Sequence, residues 1–140
     1  GDFAIQGEVI GPGIQKNKYA MLKHCLHVFD VYRIALADYA SPADGMGIVM
    51  SMGLAPVPHL GAVTLAHSID EVVVLAEGTS LLNPKLEREI VAMSEGKSAL
   101  NPKIEREGIV LRPETPMKDD RGNRVSFKAI NPKFLLKYEE

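Results

Sequence analysis

Apolar and polar residues alternate along the first ten residues of the chain, as expected for a strand over Phe3–Ile10. Gly11-Pro12-Gly13 follows, and such residues commonly end a strand in a turn. The pattern therefore predicts a strand with two different faces. Its apolar face is predicted to hold Phe3, Ile5 and Val9, and its polar face Gln6 and Glu8.

Three further segments have the composition of strands. Cys25–Ile34 is rich in Val, Phe and Tyr, which favour pleated structure. Gly108–Arg112 and Arg124–Ile130 lie on either side of Pro113–Gly122, whose prolines, glycine and charges are typical of a turn. Ile14–Lys23, between the first two strands, is predicted to be a polar loop.

Helix signals are uneven along the chain. Ser41-Pro42 suits the start of a helix, but the glycines that follow predict only a loop or short helix over Ala43–Met52. Ser68-Ile-Asp-Glu71 is a capping box and predicts a helix that ends at Gly78. Lys133–Tyr138 is predicted to be a short amphipathic end segment. Strands joined by turns, with few long helices, predict an α+β domain built on antiparallel sheet.

A local repeat occupies the middle of the chain. Glu77–Glu89 recurs as Glu95–Glu107, with Leu-Asn-Pro-Lys and Glu-Arg-Glu in both copies. Two copies are too few for a solenoid, so a local duplication is the simpler account. The first copy predicts a helix over Pro84–Ser94, capped by Asn83 and ended by Gly96. Only the second copy continues into a predicted strand.

Composition restricts the class of protein. With 46% hydrophobic and 24% charged residues, the 140-residue chain is typical of one globular domain. Its longest apolar stretch, Ala62–Ala76, is interrupted by polar residues, so no membrane span is expected. The single cysteine, Cys25, excludes an internal disulfide and suits a reducing, cytoplasmic setting. A net charge of -2 argues against indiscriminate nucleic-acid binding but leaves room for a local site.

Four short segments together carry a family resemblance. In chain order they are GEVIGPG (Gly7–Gly13), VFDVY (Val28–Tyr32), EGIVLRP (Glu107–Pro113) and SFKAINPKF (Ser126–Phe134). They resemble motifs III, IIIa, IV and V of the covalent nucleotidyltransferases. The wording is most similar to that of ATP-dependent RNA ligases, whereas DNA ligases and capping enzymes fit less well. The resemblance implies that residues 1–140 form the antiparallel sheet portion of an ATP-grasp-like adenylyltransferase domain.

The resemblance implies an activity, cofactors and partners. An enzyme of this family transfers AMP from ATP to a lysine and then to an RNA 5′-phosphate, before a 3′-hydroxyl displaces AMP. The implied role is the sealing or repair of RNA ends, with ATP and Mg²⁺ or Mn²⁺ as cofactors. Positioning and charge neutralisation do most of the work in such phosphoryl chemistry.

The resemblance also implies roles for four side chains. Glu8 corresponds to a glutamate that holds the adenosine sugar, and Phe29 to an aromatic ring that stacks on adenine. Glu107 corresponds to a glutamate near the catalytic metal, and Lys128 to a lysine that contacts the α-phosphate. The alternatives are a solvent-facing strand glutamate for Glu8, core packing for Phe29 and an ordinary turn for Glu107.

Other polar residues are open or assigned to structure. Strict alternation places Asp30 on the face opposite Phe29, which favours a structural role, and Arg112 could face solvent or RNA. Many ligases have a second motif V lysine where this chain has Ile130, and Lys133 is a candidate to compensate. His24 and His27 lack metal-ligand spacing and are interpreted as structural.

One expected motif is missing from the 140 residues. The nucleophilic lysine of these enzymes begins Lys-x-Asp-Gly, and no lysine in this chain begins such a pattern. The chain is therefore expected to be a fragment whose partner is the N-terminal segment of the same protein, and to be inactive alone. Two alternatives remain open: a non-catalytic nucleotide- or RNA-binding module, and a DNA ligase or capping-type nucleotidyltransferase.

Overall fold

The computed structural model describes residues 1–65 and 84–138. The chain divides into two compact units, one of Gly1–His59 with Arg112–Arg124 and the other of Leu60–Leu111 with Val125–Glu140. The helix predicted to begin at Ser68 and the predicted cap at Asn83 lie outside the described residues. We call these units the first unit and the second unit.

The first unit is built on an antiparallel pair of strands. β1 (Phe3–Ile10) pairs along its whole length with β2 (Cys25–Arg33), which confirms both predicted strands. Two short strands extend β2: β3 (Asp38–Tyr39) is antiparallel to it and β4 (Ala55–Pro56) is parallel. Short 3₁₀ turns at Gln15–Asn17 and Ile34–Leu36 occupy the connections.

A β-bulge interrupts the pairing of β1 with β2. The register passes from Gln6 opposite Asp30 to Gly7 opposite Val28, so Phe29 has no partner on β1. A bulge of this kind inserts one extra residue and bends its strand. Strict alternation therefore fails along β2, and its faces cannot be counted through Phe29.

α1 (Pro42–Ser51) is longer and better formed than the sequence predicts. The Oγ atom of Ser41 accepts a hydrogen bond from the backbone nitrogen of Asp44 at 3.1 Å, and Pro42 occupies the first turn. The weak prediction overlooked tertiary packing, which commonly outweighs glycine's low helix propensity. α1 packs against the sheet through Val49, in a core cluster with Val28, Val31 and Ala40.

The end of β1 departs from the predicted faces. Ile5 packs against the core as expected, but Val9 is 47% exposed whereas Ile10 is only 5% exposed. Ile10 lines a small cavity with the loop residues Ile14 and Tyr19, so the loop covers this end of the strand. The predicted polar loop therefore supplies apolar cover that period-two counting cannot foresee.

In its described residues, the second unit joins two helices to a two-stranded sheet. α2 (Pro84–Ser94) has the predicted bounds, and β5 (Gly108–Leu111) pairs antiparallel with β6 (Phe127–Ile130). β6 begins three residues later than predicted, because Arg124 makes only an isolated bridge with Lys118. α3 (Pro132–Tyr138) is the predicted end segment. Leu86 and Ile90 of α2 form the core of this unit with inward-facing residues of the sheet, among them Leu111, Phe127 and Ala129.

Gly108 allows the close approach of β5 to β6. It lies opposite Ile130, and a Cβ atom at Gly108 would collide with the carbonyl oxygen of Ala129. Glycine is therefore the residue that fits directly after Glu107, since any side chain would push the strands apart.

The two copies of the repeat fold differently. Pro84–Glu89 of the first copy forms the first turns of α2, whereas Asn101–Glu107 of the second copy is irregular. In the second copy Lys97 makes an antiparallel bridge with Glu105, and the guanidinium of Arg106 donates to the carbonyl oxygen of Glu95 just beyond α2. Arg106 thereby satisfies a carbonyl group at the helix C-terminus.

Within residues 1–65 and 84–138, no helix combines the length and the apolar character needed to cross a lipid bilayer.

Candidate functional site

Glu107 and Lys128 form a close ion pair in the second unit. Lys128 Nζ lies 3.0 Å from Glu107 Oε1, and both side chains are about half exposed. Glu107 lies immediately before β5 and Lys128 is the second residue of β6. The structure therefore brings together the two residues expected to serve the metal and the phosphate.

Strand alternation explains why Lys128 faces away from the core. Phe127 and Ala129 pack against α2, so Lys128 and Ile130 lie on the other face of β6, where both are exposed. Ile130 is thus on the same face as Lys128 and is 43% exposed. The place of the second motif V lysine is apolar here, and it adds no charge to that face.

Asn131 ties the end of β6 to the residues around Glu107. Its side chain is fully buried and its Nδ2 atom donates to the carbonyl oxygen of Arg106 at 3.0 Å. Its backbone nitrogen donates to the carbonyl oxygen of Glu107 at 2.8 Å. Its Oδ1 atom accepts from the backbone nitrogen of Lys133 and so caps α3. One buried amide thus fixes the backbone before β5 and after β6.

Two more ion pairs lie among the described residues of the second unit. Lys133 Nζ lies 3.3 Å from Glu95 Oε2, and Lys97 Nζ lies 2.7 Å from Glu105 Oε1. The hydrogen bond from Lys97 lowers the pKa of the Glu105 carboxyl below its ordinary value. Glu105 therefore has its own partner and differs from Glu107, whose partner is the motif V lysine.

Glu8 and Phe29 lie on neighbouring strands of the first unit. Glu8 is exposed on β1 opposite His27, and Phe29 is the bulged residue of β2, two positions further along. The Phe29 side chain is 41% exposed, so core packing does not account for it. An accessible carboxylate and an accessible aromatic ring are thus available on adjacent strands.

The carboxylate of Asp30, next to Phe29, forms ion pairs with two arginines. Its side chain is only 8% exposed and lies 2.9 Å from Arg112 Nη1 and 2.8 Å from Arg124 Nη2. Arg112 Nη1 also donates to the backbone oxygen of Phe29 at 2.8 Å, and the Arg124 guanidinium lies over the Tyr39 ring. Burial lowers the pKa of Arg112, while the Asp30 carboxylate opposes that shift. We call Asp30, Arg112, Arg124 and Tyr39 the Asp30 cluster.

The histidines are held in the structure without a metal cluster. His24 Nε2 lies 2.8 Å from the carbonyl oxygen of Pro12, while His27 is buried and neither ring nitrogen has a hydrogen-bond partner in the described part of the chain. Over the same residues, no three His, Cys, Asp or Glu side chains are grouped to hold a cation.

A family model for RNA ligase matches residues 1–130, almost the whole chain. The chain belongs to the RNA ligase family. A search of curated protein sequences returned no match. The resemblance drawn from the four sequence motifs is therefore confirmed at the level of the family.

Solved structures of an RNA ligase from Naegleria gruberi share the ligase fold of this chain. With the form containing pyrophosphate, the TM-score is 0.72 at 29% identity over 99% of this chain. A lysine-to-alanine variant with ATP and Mn gives 0.73 at 28% identity over 99%. An aspartate-to-alanine variant without ligand gives 0.73 at 27% identity over 99%. The chain spans 34–35% of the length of these ligases, and their fold confirms the predicted α+β antiparallel architecture.

Sequence reasoning missed the ion pairs of the Asp30 cluster and the buried hydrogen bonds of Asn131. Asp30 is the central residue of a largely buried ion network, and Arg112 is one of its two partners. The signal available in the sequence was a pair of arginines at either end of the turn between β5 and β6. Only the tertiary fold shows that both reach the same carboxylate.

Proposed function

We propose that this chain is the C-terminal part of the nucleotidyltransferase domain of a longer, ATP-dependent RNA ligase. That enzyme would join or repair RNA ends through lysyl-AMP and RNA-adenylate intermediates, in a reducing compartment such as the cytoplasm. The observation that carries the proposal is the ion pair between Glu107 and Lys128, two residues from the segments that resemble motifs IV and V, in a chain of this family. We use "full-length ligase" for this chain together with the segment that carries the nucleophilic lysine.

The proposed reaction consists of three displacements at phosphorus. A lysine nitrogen outside the 140 residues attacks the α-phosphorus of ATP, and pyrophosphate leaves. An oxygen of the RNA 5′-phosphate then attacks the same phosphorus, and the lysine leaves. Finally a 3′-hydroxyl attacks the RNA 5′-phosphate, and AMP leaves with the electron pair of the broken bond. In each step negative charge develops on the oxygens around the attacked phosphorus, and a protein stabilises that charge with fixed cations.

The second unit is proposed to act on the phosphates. The Lys128 ammonium is a compact positive charge of the kind that binds phosphate. It would neutralise negative charge on the α-phosphate oxygens. The Glu107 carboxylate suits Mg²⁺ or Mn²⁺, which often bind proteins through one or two carboxylates plus substrate phosphates. A bound cation would supply further charge neutralisation. Because the ion pair is half exposed, it is weak enough to exchange for these ligands.

The first unit is proposed to act on the adenosine. The exposed ring of Phe29 would stack on adenine, since every base offers an aromatic face to such a ring. The exposed Glu8 carboxylate would accept hydrogen bonds from ribose hydroxyls. Lys133 is proposed to supply part of the charge that Ile130 lacks, because it follows β6 by three residues and its ion pair with Glu95 is exposed.

Label transfer to RNA tests the proposed function. The full-length ligase is incubated with ATP labelled at the α-phosphate and with a nicked RNA duplex bearing a 5′-phosphate. We expect label to appear on the protein, then on the RNA 5′-end, and to be released as AMP when the nick is sealed. Labelling from GTP instead would indicate a capping enzyme, and preferred sealing of DNA would indicate a DNA ligase. ATP binding without any labelled protein would favour a non-catalytic module.

A further inference from the structure

The backbone of Phe29 makes a hydrogen bond with a residue outside the β1–β2 strand pair. The bulge leaves it without a partner on β1, between Gly7 opposite Val28 and Gln6 opposite Asp30. Its backbone oxygen accepts instead from Arg112 Nη1, a residue 83 positions later in the chain. The backbone that carries this half-exposed ring is therefore held by a contact from outside the strand pair.

One guanidinium joins two neighbouring residues of β2. Arg112 donates to the Phe29 carbonyl at 2.8 Å and to the Asp30 carboxylate through Nη2 at 3.1 Å. The planar fork of arginine fixes both partners at once, which a lysine ammonium cannot do with the same geometry. Asp30 is nearly buried, and its Oδ1 atom also accepts a hydrogen bond from Arg124 Nη2 at 2.8 Å, so a second arginine holds this carboxylate in place.

Arg124 provides a comparison within the same cluster. It reaches Asp30 at 2.8 Å and lies 3.8 Å from the centroid of the Tyr39 ring, whereas the donor to the Phe29 carbonyl oxygen is Arg112. If the cluster served only to attach the segment Arg112–Arg124 to the sheet, replacing either arginine would lower stability, and replacing Arg112 would have no larger effect on AMP affinity than replacing Arg124. If the cluster instead positions the Phe29 ring, replacing Arg112 should weaken AMP binding more than replacing Arg124.

We propose that Arg112 and Asp30 are positioning residues that preset the ring of Phe29 for adenine. The inference rests on the proposed function, in which that ring stacks on the base of ATP or AMP. A ring fixed before the nucleotide arrives loses less freedom on binding, which raises affinity without adding a contact. Neither residue touches the nucleotide, and their effect passes through Phe29.

A double-mutant cycle on AMP affinity tests this route. Isothermal titration calorimetry gives the AMP dissociation constant of the full-length ligase for Phe29→Ala, Arg112→Lys and the variant that combines them. We expect Phe29→Ala to weaken binding about 10- to 100-fold, the range of base stacking. Arg112→Lys should weaken it about tenfold, and the combined variant should be no weaker than Phe29→Ala alone. Independent roles would instead multiply the two losses.

Control variants separate positioning from general folding. Arg121→Lys changes an arginine of the same turn outside the Asp30 cluster and should leave AMP affinity unchanged. Arg124→Lys should weaken AMP binding less than Arg112→Lys, with the melting temperature measured for each variant. Should Arg112→Lys fail to fold, Asp30→Asn replaces it in the cycle with the same expected result.

The outcomes distinguish this inference from the function on which it rests. Unchanged AMP affinity in Phe29→Ala would reject the stacking role, and with it both proposals for this residue. A large loss in Phe29→Ala with none in Arg112→Lys would overturn only the positioning inference. Multiplied losses in the combined variant, or equal losses for Arg112→Lys and Arg124→Lys, would also overturn it.

Discussion

Replacing Lys128 with alanine in the full-length ligase should slow RNA sealing by about 100- to 1000-fold, the typical cost of removing one charge-stabilising donor. Lys128 occupies the first of the two lysine positions common in motif V, and Ile130 occupies the second. The ammonium group lies on the exposed face of β6, so its removal leaves the packing of Phe127 and Ala129 on α2 unchanged. Single-turnover sealing of a nicked RNA, at saturating ATP, measures the effect.

Two lysine controls sharpen this result. Lys103→Ala removes an exposed lysine of the same unit and should leave the sealing rate near that of the wild type. Lys133→Ala should cause an intermediate loss if Lys133 supplies part of the charge that Ile130 lacks. A Lys128→Ala enzyme that retains more than a tenth of the wild-type rate would contradict the phosphate role of Lys128.

Replacing Glu107 with glutamine should slow RNA sealing by about 100-fold or more. Glutamine keeps the size of the side chain but removes the charge that a hard divalent cation prefers. Since no group of three metal-ligating side chains is present among the described residues, the loss of this carboxylate would not be made up by such a cluster. Titration of the sealing rate with Mg²⁺ and Mn²⁺ should show a higher metal requirement in the variant.

Glu105→Gln is the matched control for that experiment. Glu105 lies two residues earlier and is paired with Lys97 at 2.7 Å, so its loss removes a carboxylate of the same loop. We expect it to keep the wild-type metal dependence. An identical metal requirement for wild type and Glu107→Gln, with sealing intact, would show that Glu107 does not serve the cation.

Most of the longer strands and helices could be predicted from the sequence, because the local pattern of residues determines them. Alternation in β1, the composition of β2 and the Asn-Pro signal before α3 each depend on neighbouring residues. Glu107 and Lys128 lie close together because the two predicted strands pair antiparallel across the predicted turn. The roles of Glu8, Phe29, Glu107 and Lys128 toward a nucleotide stay predictions.

Long-range contacts explain what the sequence could not predict. The bulge at Phe29 is a property of how β2 pairs with β1, and it invalidates face counting along β2. The burial of Asp30 depends on two arginines more than 80 residues away in sequence. α1 is stabilised by packing on Val28 and Val31, which offsets the low helix propensity of its glycines.

The repeat also shows that a short segment of sequence does not determine its own structure. Asn-Pro-Lys-x-Glu-Arg-Glu precedes Ile90 and Val91 in the first copy and Gly108 in the second. The first copy enters a helix whose apolar residues Leu86 and Ile90 are buried, while the second leads into β5. The residues that follow the shared segment therefore decide its structure.

Photoaffinity mapping with 8-azido-ATP tests the adenine contact most directly. Trypsin cleaves after Lys23 and Arg33, so Phe29 is released within the peptide His24–Arg33. After irradiation of the full-length ligase, mass spectrometry should find the label in this peptide, and unlabelled ATP should suppress it. ATP-sensitive labelling found only in other peptides would contradict the assignment of Phe29 to the adenine.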